Sequence, residues 1–292
     1  MMIIDSHCHL EHENSPEKMI QAMDAGGVDK IVLFAATCDN LPSVPKSLLW
    51  FGRMVLQSPF HKVALSIYED AVMSRPGKIK VSGKYHEIHA YPDNRPVAEA
   101  IRQYPDRFIG FVFLNPKNNP NVMEQLEHGI QKDNMRGVKV HPWFHNYDPG
   151  ALLQDVAARC QELNLPILMH LGSRTETGNI QELISRFPRQ KFILAHLGIP
   201  WFRKTWPMAK ELPNIYLDLS GPYLSKSIVA KAVQFIGPNK LIYGTDAPYG
   251  LRTNTPGELS YTGSRSWVDS LPIQEKEKEK IFSGNLLSLI HS

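Results

Sequence analysis

The sequence predicts an α/β protein of the (β/α)8 barrel class. Short apolar runs alternate with segments of helical periodicity, which is the pattern of βαβ units in a parallel sheet. The chain has 292 residues, and a barrel of roughly 250 residues fits within that length with room for an insertion. We therefore expect a single domain over residues 1–292.

Eight apolar runs carry this prediction. In chain order the predicted strands are Met2–His9, Lys30–Ala35, Phe108–Phe113, Gly137–His141, Ile167–His170, Phe192–His196, Ile215–Leu219 and Leu241–Thr245. Helix signals separate them, such as Ser15-Pro16-Glu17 before the first helix and Asp148-Pro149 before a later one. The charged run Glu275–Lys280 precedes the last predicted helix and is typical of a solvated helix face.

Residues 39–96 interrupt the alternation after strand two. This segment is richer in proline, lysine and aromatic residues, and it predicts short helices near Ser47–Leu56 and Lys62–Ser74. Loops that follow barrel strands stand over the catalytic face, so the insertion is a candidate lid or specificity element. A decorative subdomain or an oligomer contact explains the same pattern equally well.

Composition and charge argue against several classes of protein. The net charge is +3 with lysine and arginine scattered, so we expect neither nucleic-acid nor anionic-membrane binding. No apolar stretch approaches the roughly 20 residues of a membrane span, and the first residues lack a signal-peptide pattern, so we expect a cytoplasmic protein. The three cysteines are widely spaced and form no thiolate zinc motif.

Histidines and an aspartate recur at the carboxyl ends of the predicted strands. His7 and His9 end strand one and point to the same face, because side chains alternate along a strand. His170, His196 and Asp246 each follow a later apolar run. In a closed barrel these five side chains would meet at one mouth. Imidazoles and a carboxylate suit Zn²⁺, with Mn²⁺ or Fe²⁺ as alternatives, in a site with one position open for water.

Six motifs resemble the amidohydrolase superfamily, over essentially the whole chain. They are Ile4–His9, Arg107–Pro116, Gly137–Pro142, Leu194–Gly198, Tyr243–Pro248 and Gly284–Asn285. The resemblance is to the branch of amidohydrolase-2 type TIM-barrel metal-dependent hydrolases, which also contains enzymes like aminocarboxymuconate-semialdehyde decarboxylase. It implies a hydrolase in which a metal-activated water attacks the carbonyl of an amide, lactone or related carboxyl derivative.

The resemblance also implies a role for each candidate residue. In members that bind one metal, the ion is held by the residues that match His7, His9, His170 and Asp246. The match to His196 lies beside the bound water, and Asp246 would carry a proton from the nucleophile to the leaving group. In binuclear members the match to Lys139 is carboxylated and bridges two ions, the second held by His170 and His196. We expect one divalent ion, with the binuclear site as the alternative.

Three residues are candidates for binding the substrate, which we expect to be a small molecule that bears a carboxylate. Lys139 and His141 share one face of strand four, and in mononuclear relatives such groups orient a substrate carboxylate. A purely structural barrel lysine is the alternative for Lys139. Arg252 follows strand eight and would meet an anionic group.

Other functions remain open at this point. The chief alternative is a metal-dependent, non-oxidative decarboxylase with the same ligands, which an arginine clamp after strand one or two would favour. Arg53 and Arg75 in the insertion are available for that clamp. A lactonase that works without metal and a non-catalytic binding barrel are the further alternatives. A homo-oligomer is compatible with the architecture, but no sequence feature decides it.

Overall fold

A computed structural model of the chain shows a barrel of eight parallel strands, which confirms the predicted fold class. It describes residues 1–11, 13–42, 46–58, 60–117, 119–172, 180–253 and 258–290. The barrel strands are β1 Ile4–Leu10, β2 Lys30–Ala35, β3 Phe108–Gly110 with Val112–Leu114, β4 Val138–Val140, β5 Ile167–Met169, β6 Phe192–Leu194, β7 Ile215–Asp218 and β8 Leu241–Ile242.

Backbone hydrogen bonds close these strands into a ring. Phe111 interrupts β3, so that its first part pairs with β2 and its second part with β4. From β4 each strand pairs with the next as far as β8. β8 and the loop after it return to β1, where the N–H of Ser6 donates to the carbonyl of Tyr243 at 3.0 Å and the N–H of His9 donates to that of Ala247 at 2.7 Å. All eight carboxyl ends therefore surround one mouth.

Helices connect the strands along the chain, and three more α-helices follow the last strand within the described residues. They are α1 Pro16–Gly26, α2 Lys46–Gln57, α3 His61–Val72, α4 Arg95–Gln103, α5 Val122–Gln131, α6 Pro142–His145, α7 Pro149–Leu152, α8 Gln154–Glu162, α9 Gln181–Arg186, α10 Phe202–Glu211, α11 Lys226–Ile236, α12 Thr262–Asp269, α13 Glu275–Glu279 and α14 Asn285–Ile290. α1 illustrates how capping residues in the sequence set the two ends of a helix. The Ser15 side chain accepts a hydrogen bond from the N–H of Lys18, and Gly27 ends the helix at a φ of 62°, which glycine adopts without strain. Across the described residues, no helix is both long and apolar enough to cross a membrane.

The insertion lies over the mouth and has a small core of its own. α2 and α3 are followed by an antiparallel hairpin of strands Lys78–Val81 and Lys84–Glu87. A cluster of Cys38, Val72, Ile79 and Ile88 is separate from the main barrel core. The guanidinium of Arg53 donates to the carbonyl of Pro222, after β7, at 2.7 Å. Its use as a lid stays a prediction.

Candidate metal centre and active site

Three predicted metal ligands meet where β1 and the loop after β8 come together. Nε2 of His7 lies 3.4 Å from Oδ1 of Asp246, and Nε2 of His9 lies 3.8 Å from the same oxygen. Both histidines are buried, and the Asp246 side chain is 15% exposed. Donors that share one Zn²⁺ at about 2.0–2.2 Å lie roughly 3–3.5 Å apart. The His7 contact is within this range and the His9 contact is slightly beyond it, so a small shift of the His9 side chain lets the set hold one divalent cation.

Asp5 fixes the geometry between β1 and the Asp246 loop. Its carboxylate accepts hydrogen bonds from the N–H of Thr245 at 2.9 Å, from the Thr245 hydroxyl at 2.5 Å and from the N–H of His7 at 3.1 Å. Burial raises the pKa of Asp5 to about 6, although these hydrogen bonds oppose the shift. Burial also raises the pKa of Asp246, against the opposing charge of Lys139.

Asp218, the last residue of β7, orients His7. Its Oδ2 accepts from Nδ1 of His7 at 2.8 Å, and its Oδ1 accepts from the N–H of His196 at 2.8 Å. With the proton on Nδ1, the Nε2 lone pair of His7 is free to bind a cation. Burial and, next, the charge of Lys139 lower the pKa of His7 to about 3, so the ring is neutral. Burial opposes ionisation of Asp218, but the nearby His7 holds the pKa of its carboxyl below the usual range.

Among the described residues, a second set of side chains brings potential metal-binding atoms close to one another. It consists of His7, His196 and Asp218. We interpret it as a hydrogen-bonded support, because the 2.8 Å between His7 and Asp218 is a hydrogen-bond length. The hydroxyl of Ser220 joins this network at 3.0 Å from Nδ1 of His7 and 2.9 Å from Nδ1 of His196.

His9 is held in the same tautomer by other partners. Its Nδ1 lies 3.2 Å from the carbonyl of Ala35, which only accepts, and 3.1 Å from the hydroxyl of Thr37. The proton therefore belongs on Nδ1, and Nε2 faces Asp246 with its lone pair. Burial lowers the pKa of His9 well below its usual value.

Lys139 is fully buried inside the barrel, next to these ligands. Its Nζ lies 2.9 Å from Nε2 of His7 and 5.0 Å from the centre of the Phe34 ring. Burial lowers the pKa of Lys139 to about 8, while the carboxylates of Asp246 and Asp218 raise it. The ammonium group and a cation cannot use the same lone pair of His7, so a bound metal requires Lys139 to turn to another acceptor.

His170 and His141 lie on the opposite half of the mouth, in a stack of rings. The ring centres of His141 and His170 are 4.1 Å apart with 14° between their planes, and Phe144 stacks on His141 at 4.2 Å. Trp143 is parallel to His170 at 5.5 Å. Burial lowers the pKa values of both histidines well below their usual range, so both rings are neutral.

His196 links the two halves. Its Nδ1 lies 3.1 Å from the carbonyl of Ser220, so it carries the proton there, and its Nε2 accepts from Nδ1 of His170 at 2.9 Å. His170 is thereby left with a lone pair on Nε2, the atom a metal would use. Within the described part of the chain, however, His170 does not belong to the compact group of His7, His9 and Asp246.

Arg252 lies at the rim rather than at the metal ligands. Its guanidinium donates to the carbonyl of Leu41 at 2.5 Å and lies 5.0 Å from the centre of the Tyr249 ring. The Tyr249 hydroxyl donates to Glu11 at 3.0 Å. Burial raises the pKa of Glu11 to about 7. Arg252 therefore joins the loop after β8 to the start of the insertion.

Sequence reasoning missed Asp218, Ser220 and Thr37. The signal for Asp218 was present, because an aspartate inside the apolar run Ile215–Leu219 would be costly to bury without a partner. Ser220 and Thr37 give no such signal, since serine and threonine are common just after strands.

Comparisons with known proteins agree with this architecture. The family model described as amidohydrolase matches residues 80–285. Protein fluG of Emericella nidulans is 27% identical over 107 residues, a match that covers 32% of this chain and only 12% of fluG.

Two solved structures are similar over nearly the whole chain. An uncharacterized TIM-barrel protein from Bordetella bronchiseptica has a TM-score of 0.67 at 17% identity, covering 100% of this chain and 99% of that one. A dihydroxybenzoic acid decarboxylase from Polaromonas sp. JS666, with bound manganese and the inhibitor 2-nitroresorcinol, has a TM-score of 0.63 at 16% identity, covering 99% and 97%. At these identities the likeness shows the fold.

Proposed function

Because the chain belongs to the amidohydrolase family, we propose that it is a metal-dependent hydrolase of a small carboxyl derivative, such as an amide or a lactone. The observation that carries the proposal is the set of His7, His9 and Asp246 at the mouth, with His7 oriented by Asp218. A buried carboxylate on the far nitrogen of a histidine is the usual support of a metal ligand. The substrate we propose bears a carboxylate.

We propose one divalent cation, held by His7, His9 and Asp246 with His170 as the fourth ligand. The hydrogen bonds on Nδ1 leave the Nε2 lone pairs of His9 and His170 available to a metal, and that of His7 becomes available when Lys139 turns to another acceptor. Nitrogen and carboxylate donors favour Zn²⁺, and Mn²⁺ or Fe²⁺ also fit such a set. When bound, such a cation supplies Lewis acidity toward a carbonyl oxygen and acidifies water.

The protein side chains have separate tasks in this hydrolysis. Asp246 accepts a proton from the attacking water on its carboxylate and returns it to the leaving group. His196 is neutral and fixed by Ser220. To hold a polar substrate atom or water, its Nε2 exchanges the hydrogen bond from His170 for one from that group. Lys139 donates a hydrogen bond to a substrate oxygen. The stacked rings of His141, Trp143 and Phe144 would contact the apolar part of the substrate.

A non-oxidative decarboxylase is the second candidate, and Arg53 is the observation that favours it. Its Nη2 reaches the carbonyl of Pro222, while its buried Nε has no hydrogen-bond partner among the described residues. An underused guanidinium beside the mouth suits a substrate carboxylate. Arg75 is unsuitable, since it stacks on Tyr85 in the hairpin at 4.1 Å. The manganese-bound relative named above is itself a decarboxylase.

Metal analysis by plasma mass spectrometry tests the shared premise. We expect about one Zn or Mn per chain in the wild type, lost in His7→Ala and in Asp246→Ala. His128→Ala is the matched control, because the His128 side chain is 68% exposed on α5 and should not change the metal content. About two ions per chain would instead indicate a bridging, carboxylated Lys139. Absence of metal after growth with ample supply would contradict the proposal and leave the metal-free lactonase or the binding barrel.

Paired assays then separate the two reactions. Metal-loaded protein is given lactones and amides in one series and aromatic or unsaturated carboxylic acids in the other, with release of carbon dioxide measured. Hydrolysis that survives Arg53→Gln supports the hydrolase. Carbon dioxide release that is lost in Arg53→Gln, with metal content unchanged, would establish the decarboxylase instead.

A further inference from the structure

The insertion helices carry a large apolar surface on their outer side. We call this surface the helical face, and its members on α2, α3 and the turn between them are Leu48, Trp50, Phe51, Met54, Phe60, Val63 and Ile67. Their exposed fractions range from 49% for Met54 to 75% for Phe60. Tyr68 is not a member, because its side chain is hydrogen-bonded to Tyr223 of the barrel. The large exposed apolar side chains outside α2 and α3 are spread over the rest of the described chain. A surface of this kind normally marks an interaction site.

The inner side of the same helices is anchored to the barrel. Arg53 donates to the carbonyl of Pro222, and the ring of His61 lies 5.7 Å from that of Phe202 at the start of α10. The backbone at Gly52 is so near to Tyr223 that an added Cβ would lie 3.5 Å from its ring. The helical face is therefore the side that the barrel leaves uncovered.

We propose that the helical face is the interface through which two copies of this chain form a dimer. Seven large side chains at about half exposure present on the order of 100 Å² each, or roughly 700 Å² per copy. A standard stable interface buries roughly 600–1,000 Å² on each partner, so the area is within the range that a dimer needs. A two-fold axis lets the same surface serve both copies, and two helix pairs pack as four helices.

The charges near this face favour a protein partner over a lipid surface. Residues 46–72 contain three basic residues, Lys46, Arg53 and Lys62, and two acidic residues, Glu69 and Asp70. Of the basic residues, Arg53 is turned inward to Pro222. Surfaces that bind anionic membranes usually carry about 4–8 lysines or arginines, which this segment lacks. The dimer does not depend on which reaction the site performs.

Sedimentation velocity of the full chain, over a range of concentrations, tests the dimer. We expect the wild type to sediment as a dimer and the double variant Phe51→Asp with Ile67→Asp to be monomeric, its dissociation constant raised on the order of 100-fold or more. Leu152→Asp is the control, because Leu152 is 43% exposed on α7, away from the insertion, and should stay dimeric. Circular dichroism checks folding, and the milder pair Phe51→Ser with Ile67→Thr replaces any variant that does not fold.

Three results would overturn the proposal. The first is a wild type that stays monomeric at every concentration. The second is a dimer that persists in the folded aspartate variant. The third is a monomeric wild type that cosediments with vesicles of phosphatidylcholine and phosphatidylserine, which would assign the helical face to a membrane surface instead.

Discussion

The two halves of the barrel mouth hold their histidines in different ways. On the side of β1, β7 and β8, each ring is fixed by hydrogen bonds at Nδ1, as in His7 to Asp218 and His9 to Ala35. On the side of β4 and β5, the rings of His141 and His170 also stack, with planes 14° apart, and Nδ1 of His141 accepts a hydrogen bond from the N–H of Phe144 at 3.2 Å. A hydrogen bond at one nitrogen determines the protonation of the other, so His141 carries its proton on Nε2 and its lone pair is already used. His7 and His9 are therefore oriented to bind a cation, whereas His141 is oriented to contact the substrate.

The largest expected effect is the difference in metal content and turnover between two single variants, each of which lacks one histidine from one half of the mouth. His9→Ala should lose the metal, and turnover should fall by about 10³-fold, since metal catalysis contributes several kcal/mol to the barrier. His141→Ala should keep the metal. Metal content and turnover measured on both variants check this contrast. Equal metal loss in the two variants would abolish the distinction between the halves.

His170 lies at the boundary and gives the next test. We propose His170 as a direct metal ligand, so His170→Ala should lower the metal affinity by about 100-fold or more. Even the outer partners of metal ligands contribute about 10–100-fold to that affinity. Competition with a chromophoric chelator measures the affinity. An unchanged affinity would place His170 with the stacked rings, as a substrate contact.

Asp218→Asn tests how much the support of His7 matters. The amide keeps the size of the side chain but removes the charge, and it presents an N–H or a weaker acceptor to Nδ1. We expect metal affinity to fall by about 10–100-fold, by the same chelator titration. Ser220→Ala, which removes only a hydroxyl of this network, should have the smaller effect. If Ser220→Ala weakened binding more than Asp218→Asn, the carboxylate would not be what orients the ring.

The smallest effect is expected in the stacked half. Trp143→Ala removes the ring that lies parallel to His170, and such contacts contribute about 0.5–1.5 kcal/mol. We expect KM to rise by roughly 3–10-fold, with kcat and metal content nearly unchanged. Steady-state kinetics on the substrate identified in the paired assays measures this. A fall in kcat at constant KM would show that Trp143 acts on the reacting atoms.

The sequence predicted one half of this mouth better than the other. Hydrophobic runs located all eight strands, and a histidine or aspartate after a strand is visible as a break in an apolar run. β8 is shorter than its predicted run Leu241–Thr245, because the N–H of Tyr243 donates to the carbonyl of Ile281 and the N–H of Thr245 donates to the side chain of Asp5, so neither pairs with the backbone of a neighbouring strand. The ring stack depends on side-chain rotamers and on the short helix α6. Neither of these leaves a periodic pattern in the sequence. The contact of Arg252 with Leu41 depends on where the insertion folds back, which no sequence pattern indicates, and its role in binding the substrate stays a prediction.

Asp246 and His196 share one further feature, a left-handed backbone with φ of 63° and 56°. This conformation is strained for most residues that have a Cβ, although less so for aspartate and asparagine. Glycine, which has no Cβ, adopts it with the least strain. Gly at position 246 would therefore relieve strain in the fold, Asn would keep a tolerated backbone while removing the buried charge, and Glu would keep the charge but tolerate the backbone less well. Selection of variants for thermal stability alone should enrich Asp246→Asn and Asp246→Gly, so heat resistance and turnover are in conflict at this position.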